Sequence, residues 1–348
     1  MASLAILAIV AAVVAMALVF AFTNGYNDSA ASVATLIACG AATPEAAVIY
    51  AAIAGFLGAL LSGTAIILTI EGLVVGAGGM TLVYMILSGV AAAIVWNLLS
   101  SRFGLPSSSS HAFVGGLVGA GVAANGTGGV LWGLAELTSS QPQLVGLAKI
   151  FVLLLVSVGM GLAGGYWAMR ISKVVLRNAS RSINRPIMRA QWLTAGLLAF
   201  AHGANDTQKQ MAVIVLALVG SGLASNEVVP LWARLLCALM MALGTLGGGW
   251  RIMRTLGRGI YRIRPIHSLD SQIPSTISIL VSTWLGAPVS STQVVSSSVI
   301  GVGAAENARE VHWRMGRSMM ISWLVTIPAC FCMSGAIFLV VRAVTGAG

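Results

Sequence analysis

Long apolar runs separated by short polar breaks fill nearly the whole chain. They fall near 3–40, 45–70, 80–103, 108–124 and 145–169. After a basic stretch they resume near 191–219, 232–250, 268–286, 290–304 and 314–342. Several approach the ~20 residues that an apolar helix needs to cross a bilayer. Two are shorter and rich in Ser and Gly, 108–124 and 290–304, and each follows a proline, Pro106 or Pro288. The pattern predicts an all-α polytopic membrane protein with five segments in each half.

Polar residues inside the runs recur in the same order. Phe22-Thr-Asn-Gly-Tyr-Asn-Asp-Ser29 matches Phe200-Ala-His-Gly-Ala-Asn-Asp-Thr207. Further on, Leu105-Pro-Ser-Ser-Ser-Ser-His111 matches Ala287-Pro-Val-Ser-Ser-Thr-Gln293, and a G-x-G follows each, at Gly119/Gly121 and Gly301/Gly303. Two separate motifs at nearly the same offset mark an internal duplication. Its expected parts are an N-terminal repeat at 1–169, a basic linker at 170–190 and a C-terminal repeat at 191–348.

Composition sharpens the class. Of 348 residues, 58% are hydrophobic and 8% charged, with mean hydropathy +0.94. Soluble domains carry about 25% charged residues, so no large soluble domain fits here. The stretch from Met1 to Phe22 lacks a basic start and reads as a retained first helix rather than a signal peptide. The net charge of +10 would suit nucleic acid, but its distribution explains it otherwise. Basic residues cluster in 170–190, 251–267 and 305–317, whereas 71–79, 124–144 and 220–231 contain no Lys or Arg. The positive-inside rule makes the basic stretches cytoplasmic. Five crossings per half then put both termini outside and turn the second repeat upside down, the inverted plan recurrent in secondary transporters. Anionic lipid is a fitting partner for the basic face; nucleic acid is not required.

The motifs supply the chemistry. Asn24, Gly25 and Asn27 are poor helix formers, so the first segment is expected to unwind near mid-membrane. Asp28, Asp206, Asn27 and Asn205 would then face a cavity, with Ser29 and Thr207 adding hydroxyls. Such groups also serve as interhelical glue, but intramembrane carboxylates at duplicated positions are more often functional. Pro106 and Pro288 are expected at the start of short re-entrant half-helices, since proline suits the first helical position. Ser108, Ser109, Ser110, Ser290, Ser291 and Thr292 would line the positive, donor-rich ends of these half-helices, a natural cradle for an oxyanion; plain N-capping is the blander reading.

An oxyanion beside two carboxylates admits two explanations. Either Asp28 and Asp206 hold cations such as Na⁺, or a carboxylate accepts a hydrogen bond from a protonated oxyanion. Hydrogen phosphate carries such a proton and sulfate does not, which favours phosphate. Gln208 and Lys209 follow the second motif. Lys209 either neutralises Asp206, touches the anion, or stands where a metal cation would otherwise sit. His111 and His202 are candidate proton relays, although a hydrogen-bonding strut is the commoner role. No Walker loop, H-E-x-x-H, G-x-S-x-G or C-x-x-C occurs, so neither enzyme chemistry nor ATP-driven transport is expected.

The duplicated G-x-N-D and the P-x-S-S-[ST]-[HQ] segments resemble the inorganic phosphate transporter (PiT) family across essentially the whole chain. Phe200 to Lys209 is most similar to its bacterial low-affinity permeases. The resemblance implies a cation-coupled (H⁺ or Na⁺) importer of phosphate in the cytoplasmic membrane, working as a homodimer without a cofactor. It implies that Asn27, Asp28, Asn205 and Asp206 bind cation and phosphate, and that Ser108–Ser110 and Ser290–Thr292 hold phosphate. Ser32, Gln208-Lys209 and Val289 depart from the family pattern, and the last makes the cradle asymmetric. Sulfate carriage and an anion channel are the alternatives.

Overall fold

A computed structural model describes residues 3–104, 107–225 and 228–346. The chain folds as α1 (Leu4–Ala38), α2 (Pro44–Leu61), α3 (Ala65–Glu71), α4 (Gly79–Phe103), α5 (Ser109–Asn125), the short α6 (Leu134–Leu137) and α7 (Gly146–Val175). The second half contributes α8 (Asn184–Gly220), α9 (Leu231–Gly247), α10 (Trp250–Arg258), α11 (Pro265–Trp284), α12 (Ser291–Asn307) and α13 (Trp313–Thr345). Among the described residues no strand forms beyond one isolated bridge, Val74 to Val130.

Helices α1, α2, α4, α7 and α13 are each long and apolar enough to cross a membrane alone. The α9–α10 pair passes the same test together but is bent by 69°. Large apolar side chains such as Leu155, Trp167, Leu324 and Val340 point outward, where lipid replaces water as the solvent. The two serine-led helices lie inside. Every residue of α5 from Ser109 to Gly121 is buried, and so is almost all of α12. At 17 residues each, they are about 25 Å long, short of the ~30 Å hydrocarbon core.

The halves interlock rather than forming separate lobes. Helix α1 packs on α9 as α8 packs on α2; α5 packs on α13 as α12 packs on α7; α4 meets α5 as α11 meets α12. Each pairing survives exchange of the halves.

Several boundaries differ from the sequence reading. Segment 45–70 is two helices, broken at 62–64. The break is satisfied by the other half: Arg234 Nη1 donates to the carbonyls of Leu60 (3.1 Å) and Ser62 (2.6 Å), and Gln208 accepts from Ile66 N at the start of α3 (3.0 Å). The 251–267 stretch is largely helix, not loop. In α10, Ile252, Met253 and Leu256 are buried while Arg251 and Arg254 are exposed. The connection between repeats is shorter than 170–190, because α7 runs to Val175 and α8 starts at Asn184.

The expected unwinding of the first motif does not occur. Helices α1 and α8 run unbroken through both copies. The physical reason lies in the motif glycines. A Cβ on Gly25 would sit 2.1 Å from Met241 O of α9, and one on Gly203 would sit 2.1 Å from Gly55 O of α2. These glycines permit close helix–helix approach instead of breaking the helix. The side chains of Asn27, Asp28 and Asn205 find partners on neighbouring elements, and Asp206 pairs with side chains of its own helix, so they do not compete with their own backbone. The breaks lie elsewhere, between α2 and α3 and between α9 and α10.

Candidate functional site

The N-terminal ends of α5 and α12 meet at the centre of the bundle. Ser108 caps α5 by accepting from His111 N (3.1 Å), and Ser290 caps α12 by accepting from Gln293 N (3.4 Å). Serine is favoured there because its oxygen satisfies an orphan helix N–H. The caps displace proline from its expected place: Pro288 precedes the N-cap of α12, and Pro106 lies outside the described residues. Ser110 Oγ donates to Val289 O just ahead of α12 (2.7 Å), and Gln293 Nε2 lies 2.8 Å from His111 Nδ1. Two residues that match in the repeats thus meet each other.

Asp28 of α1 is held at this meeting point by one hydroxyl from each half. Ser109 Oγ donates to Asp28 Oδ2, and Thr292 Oγ1 donates to Asp28 Oδ1 at 3.0 Å. All three residues are buried. A buried carboxylate is tolerated only when hydrogen-bonded or paired, and here neutral hydroxyls do the work.

Asp206 of α8 is held differently. Lys209 Nζ lies 2.9 Å from Asp206 Oδ1 and donates to Ser110 Oγ at 2.7 Å. His202 Nδ1 lies 3.4 Å from Asp206 Oδ2 and 2.9 Å from Ser291 Oγ. Positions 202, 206 and 209 share one face of α8, as the i,i+4 and i,i+3 spacing requires. Among the described residues no hydroxyl reaches Asp206 directly. Lys209 is fully buried, so its charge is sustained by Asp206.

The two motif asparagines have matching environments. Asn27 Nδ2 donates to Asn97 O (2.9 Å); Asn205 Nδ2 donates to Thr283 Oγ1 (2.8 Å) and Ala287 O (3.0 Å). In both, the amide nitrogen is tied to a neighbouring element and Oδ1 has no partner. A buried, unpartnered amide oxygen next to a carboxylate is a hard ligand of the type that binds small cations. Asn27 also lines a cavity of about 520 Å³ between α1, α4 and α10, with Thr23, Tyr26 and Asn97 in its wall and Arg102 and Arg251 among the residues around it.

Three expected site residues face elsewhere. Ser29 donates to Gly25 O and lies 2.7 Å from Thr245 Oγ1 on α9. Thr207 Oγ1 donates to Met241 Sδ, also on α9 (2.8 Å). Gln208 is committed to α3 and to Ala204 O (2.8 Å). Position 208 lies one step round the helix from Thr207 and away from the Asp206–Lys209 face, so it cannot share that face's partners. Conversely, Asn97, Thr283 and Arg234 were not foreseen. The signal that marks Asn97 and Arg234 is a polar side chain inside an otherwise apolar run.

A bundle of long apolar helices closed around buried carboxylates, an ammonium and two converging helix ends defines a multi-pass membrane protein. Residues 24–334 match the Phosphate transporter family. A Mycobacterium bovis protein named "Probable low-affinity inorganic phosphate transporter" is 41% identical over 319 residues, 91% of this chain and 73% of its own. Proteins of the same name from Rhizobium meliloti and Bacillus subtilis are each 34% identical, covering 92% and 91% of this chain and 93% and 92% of theirs. A solved structure, "The sodium-dependent phosphate transporter", shares the fold with TM-score 0.78 at 24% identity, covering 97% of this chain and 99% of its own. The chain belongs to the phosphate transporter family.

Proposed function

We propose that this protein is a secondary active transporter that imports inorganic phosphate across the cytoplasmic membrane together with a cation, H⁺ or Na⁺. The observation that carries the reading is the seat of Asp28, whose carboxylate takes one hydroxyl from each half where α5 and α12 converge. Two helix N-termini concentrate donors and positive dipole ends on one point. Ser108–Ser110 and Ser290–Thr292 supply the anion half of the site. Asp28 with the bare oxygens of Asn27 and Asn205 supplies the cation half. The family membership and the names of the relatives support phosphate as the anion.

The repeats are inverted, so the site lies on their pseudo-two-fold axis; the exchange-symmetric helix pairing supports this. The basic faces near 170–190, 251–267 and 305–317 are cytoplasmic, the termini lie outside, and the protein works as a homodimer. The cavity that reaches Asn27 past Arg102 and Arg251 is then the inner vestibule, and its arginines favour an anion there. Alternating access exchanges this vestibule for an outer one about the same site.

The test is radiolabelled phosphate uptake into proteoliposomes with Na⁺ and pH gradients imposed separately. Uptake driven by either gradient is expected. Uptake of sulfate in place of phosphate, or flux indifferent to both gradients, would sink the proposal.

A further inference from the structure

We infer that Lys209 is a tethered cation occupying the ion position of the second half, so that this half takes up no exchangeable cation and coupling runs through Asp28 alone. The inference rests on the cation-coupled reading above and specifies which carboxylate does the coupling.

It comes from laying one copy of the site over the other within the same chain. The first copy has Asn24 and Ala31 where the second has His202 and Lys209. Ser109 matches Ser291, and Thr292 matches Ser110. In the first copy both carboxylate contacts are direct: Ser109 to Asp28 and Thr292 to Asp28. In the second copy a nitrogen base stands in each of the two equivalent contacts. His202 Nδ1 lies between Asp206 and Ser291, at 3.4 and 2.9 Å. Lys209 Nζ lies between Asp206 and Ser110, at 2.9 and 2.7 Å. An ammonium bridging a carboxylate oxygen and a hydroxyl oxygen sits where a small hard cation between those two oxygens would sit.

Three features make the occupancy permanent. The ammonium is carried on the same helix as its carboxylate, three residues away, so the pair is intramolecular and always formed. Lys209 is fully buried between α8 and α5, and its release would leave two unpaired charges in a dry site. A second cation brought to Asp206 would meet the ammonium's repulsion at a carboxylate oxygen already in contact with Lys209. Asp28, by contrast, is contacted directly only by neutral hydroxyl donors, with the Lys209 charge acting on it from beyond hydrogen-bond contact, so its own oxygens are the ones left to take up an arriving ion. The bare Asn27 Oδ1 beside it is a further ligand for that arriving ion.

The experiment compares the wild type with Lys209→Ala, which reproduces the first copy's Ala31, and with Lys209→Gln, which keeps a donor toward Ser110 without the charge. Binding of ²²Na⁺ to purified protein is counted per chain. Each variant is expected to bind one more Na⁺ than the wild type, and that extra ion is lost in Asp206→Asn/Lys209→Gln. Na⁺, but not choline, is expected to raise the thermal stability of the variants more than that of the wild type, because a ligand that binds only the folded state stabilises it. In proteoliposomes, the charge moved per phosphate, read from reversal potentials, is expected to rise by one. Equal Na⁺ counts in wild type and variants would overturn the inference, as would a wild-type Na⁺ that disappears in Asp206→Asn. If Lys209→Ala does not fold, Lys209→Gln carries the same comparison. Wild-type protein that transports no phosphate under any gradient defeats the transport reading, while the Na⁺ count still decides the role of Lys209.

Discussion

The two copies of the Asn-Asp motif each lie within an unbroken helix, with a glycine contact and a bare amide oxygen, yet they hold their carboxylates by opposite means. Asp28 is wrapped in hydroxyls drawn from both halves, whereas Asp206 is neutralised by Lys209 and flanked by His202 on its own helix. The difference resides in two substitutions one turn either side of the carboxylate, Asn24 against His202 and Ala31 against Lys209. The two carboxylates therefore differ in their direct partners: Asp28 meets only hydroxyls, Asp206 an ammonium and an imidazole. In a low-dielectric interior this distinction is large, because an unpaired buried charge costs several kcal/mol.

The largest expected effect breaks the pair outright. Asp28→Asn and Asp206→Asn should each reduce phosphate uptake by ~100-fold or more, the scale set by losing a charge-assisted contact of up to ~3 kcal/mol. Near-normal uptake by both variants, in protein that inserts normally, would remove the motif from the site.

Stability should then separate the copies. Asp206→Asn strands the Lys209 ammonium and should cost about 3–5 kcal/mol. Asp28→Asn leaves only neutral hydroxyls and should cost about 1–2 kcal/mol. Adding Lys209→Met to Asp206→Asn should recover most of the lost stability without recovering transport. Unfolding titrations in mixed micelles read all three, and equal losses for the two single variants would contradict the division.

A smaller effect should be the same in both copies. Gly25→Ala and Gly203→Ala each force a methyl against a backbone carbonyl of the facing helix, an overpacking that costs about 1–3 kcal/mol. Thermal midpoints that fall for one and not the other would show that the close approach is not shared. The smallest effect belongs to Ser29→Ala and Thr207→Ala. Both face α9 rather than the centre, so each should cost no more than ~1 kcal/mol and leave the cation dependence of uptake unchanged. A changed cation dependence would put these hydroxyls back in the ion site.

Much of the site was legible before the fold. The duplicated motifs pointed to Asp28, Asp206, Ser109, Ser110, Ser291 and Thr292, and Lys209 stood out just after the second copy; the structure brings all seven to one place. The local conformation of the motif was not legible. Asn24, Gly25 and Asn27 read as helix breakers because propensity describes an isolated helix. Inside the bundle, Gly25 gains contact with α9 and Asn27 finds Asn97, and those tertiary gains override the local preference. The true breaks were hidden for the complementary reason: the residues that satisfy the gap at 62–64, Arg234 and Gln208, lie far away in the sequence.

By itself, then, the sequence determined the class, an all-helical membrane protein of the phosphate transporter family, and pointed to the residues that meet at the centre. Hydropathy, charge placement and repeated spacing are one-dimensional signals, and a membrane makes them strong by penalising every polar group it holds. Only the tertiary structure decided which hydroxyl faces which carboxylate. Hydroxyl partners come from helices up to 264 residues apart, and a hydrogen bond depends on a few tenths of an ångström that no spacing encodes. The Lys209–Asp206 pair was within reach of the sequence because both lie on one helix, whereas the seat of Asp28 between Ser109 and Thr292 is a property of the packing.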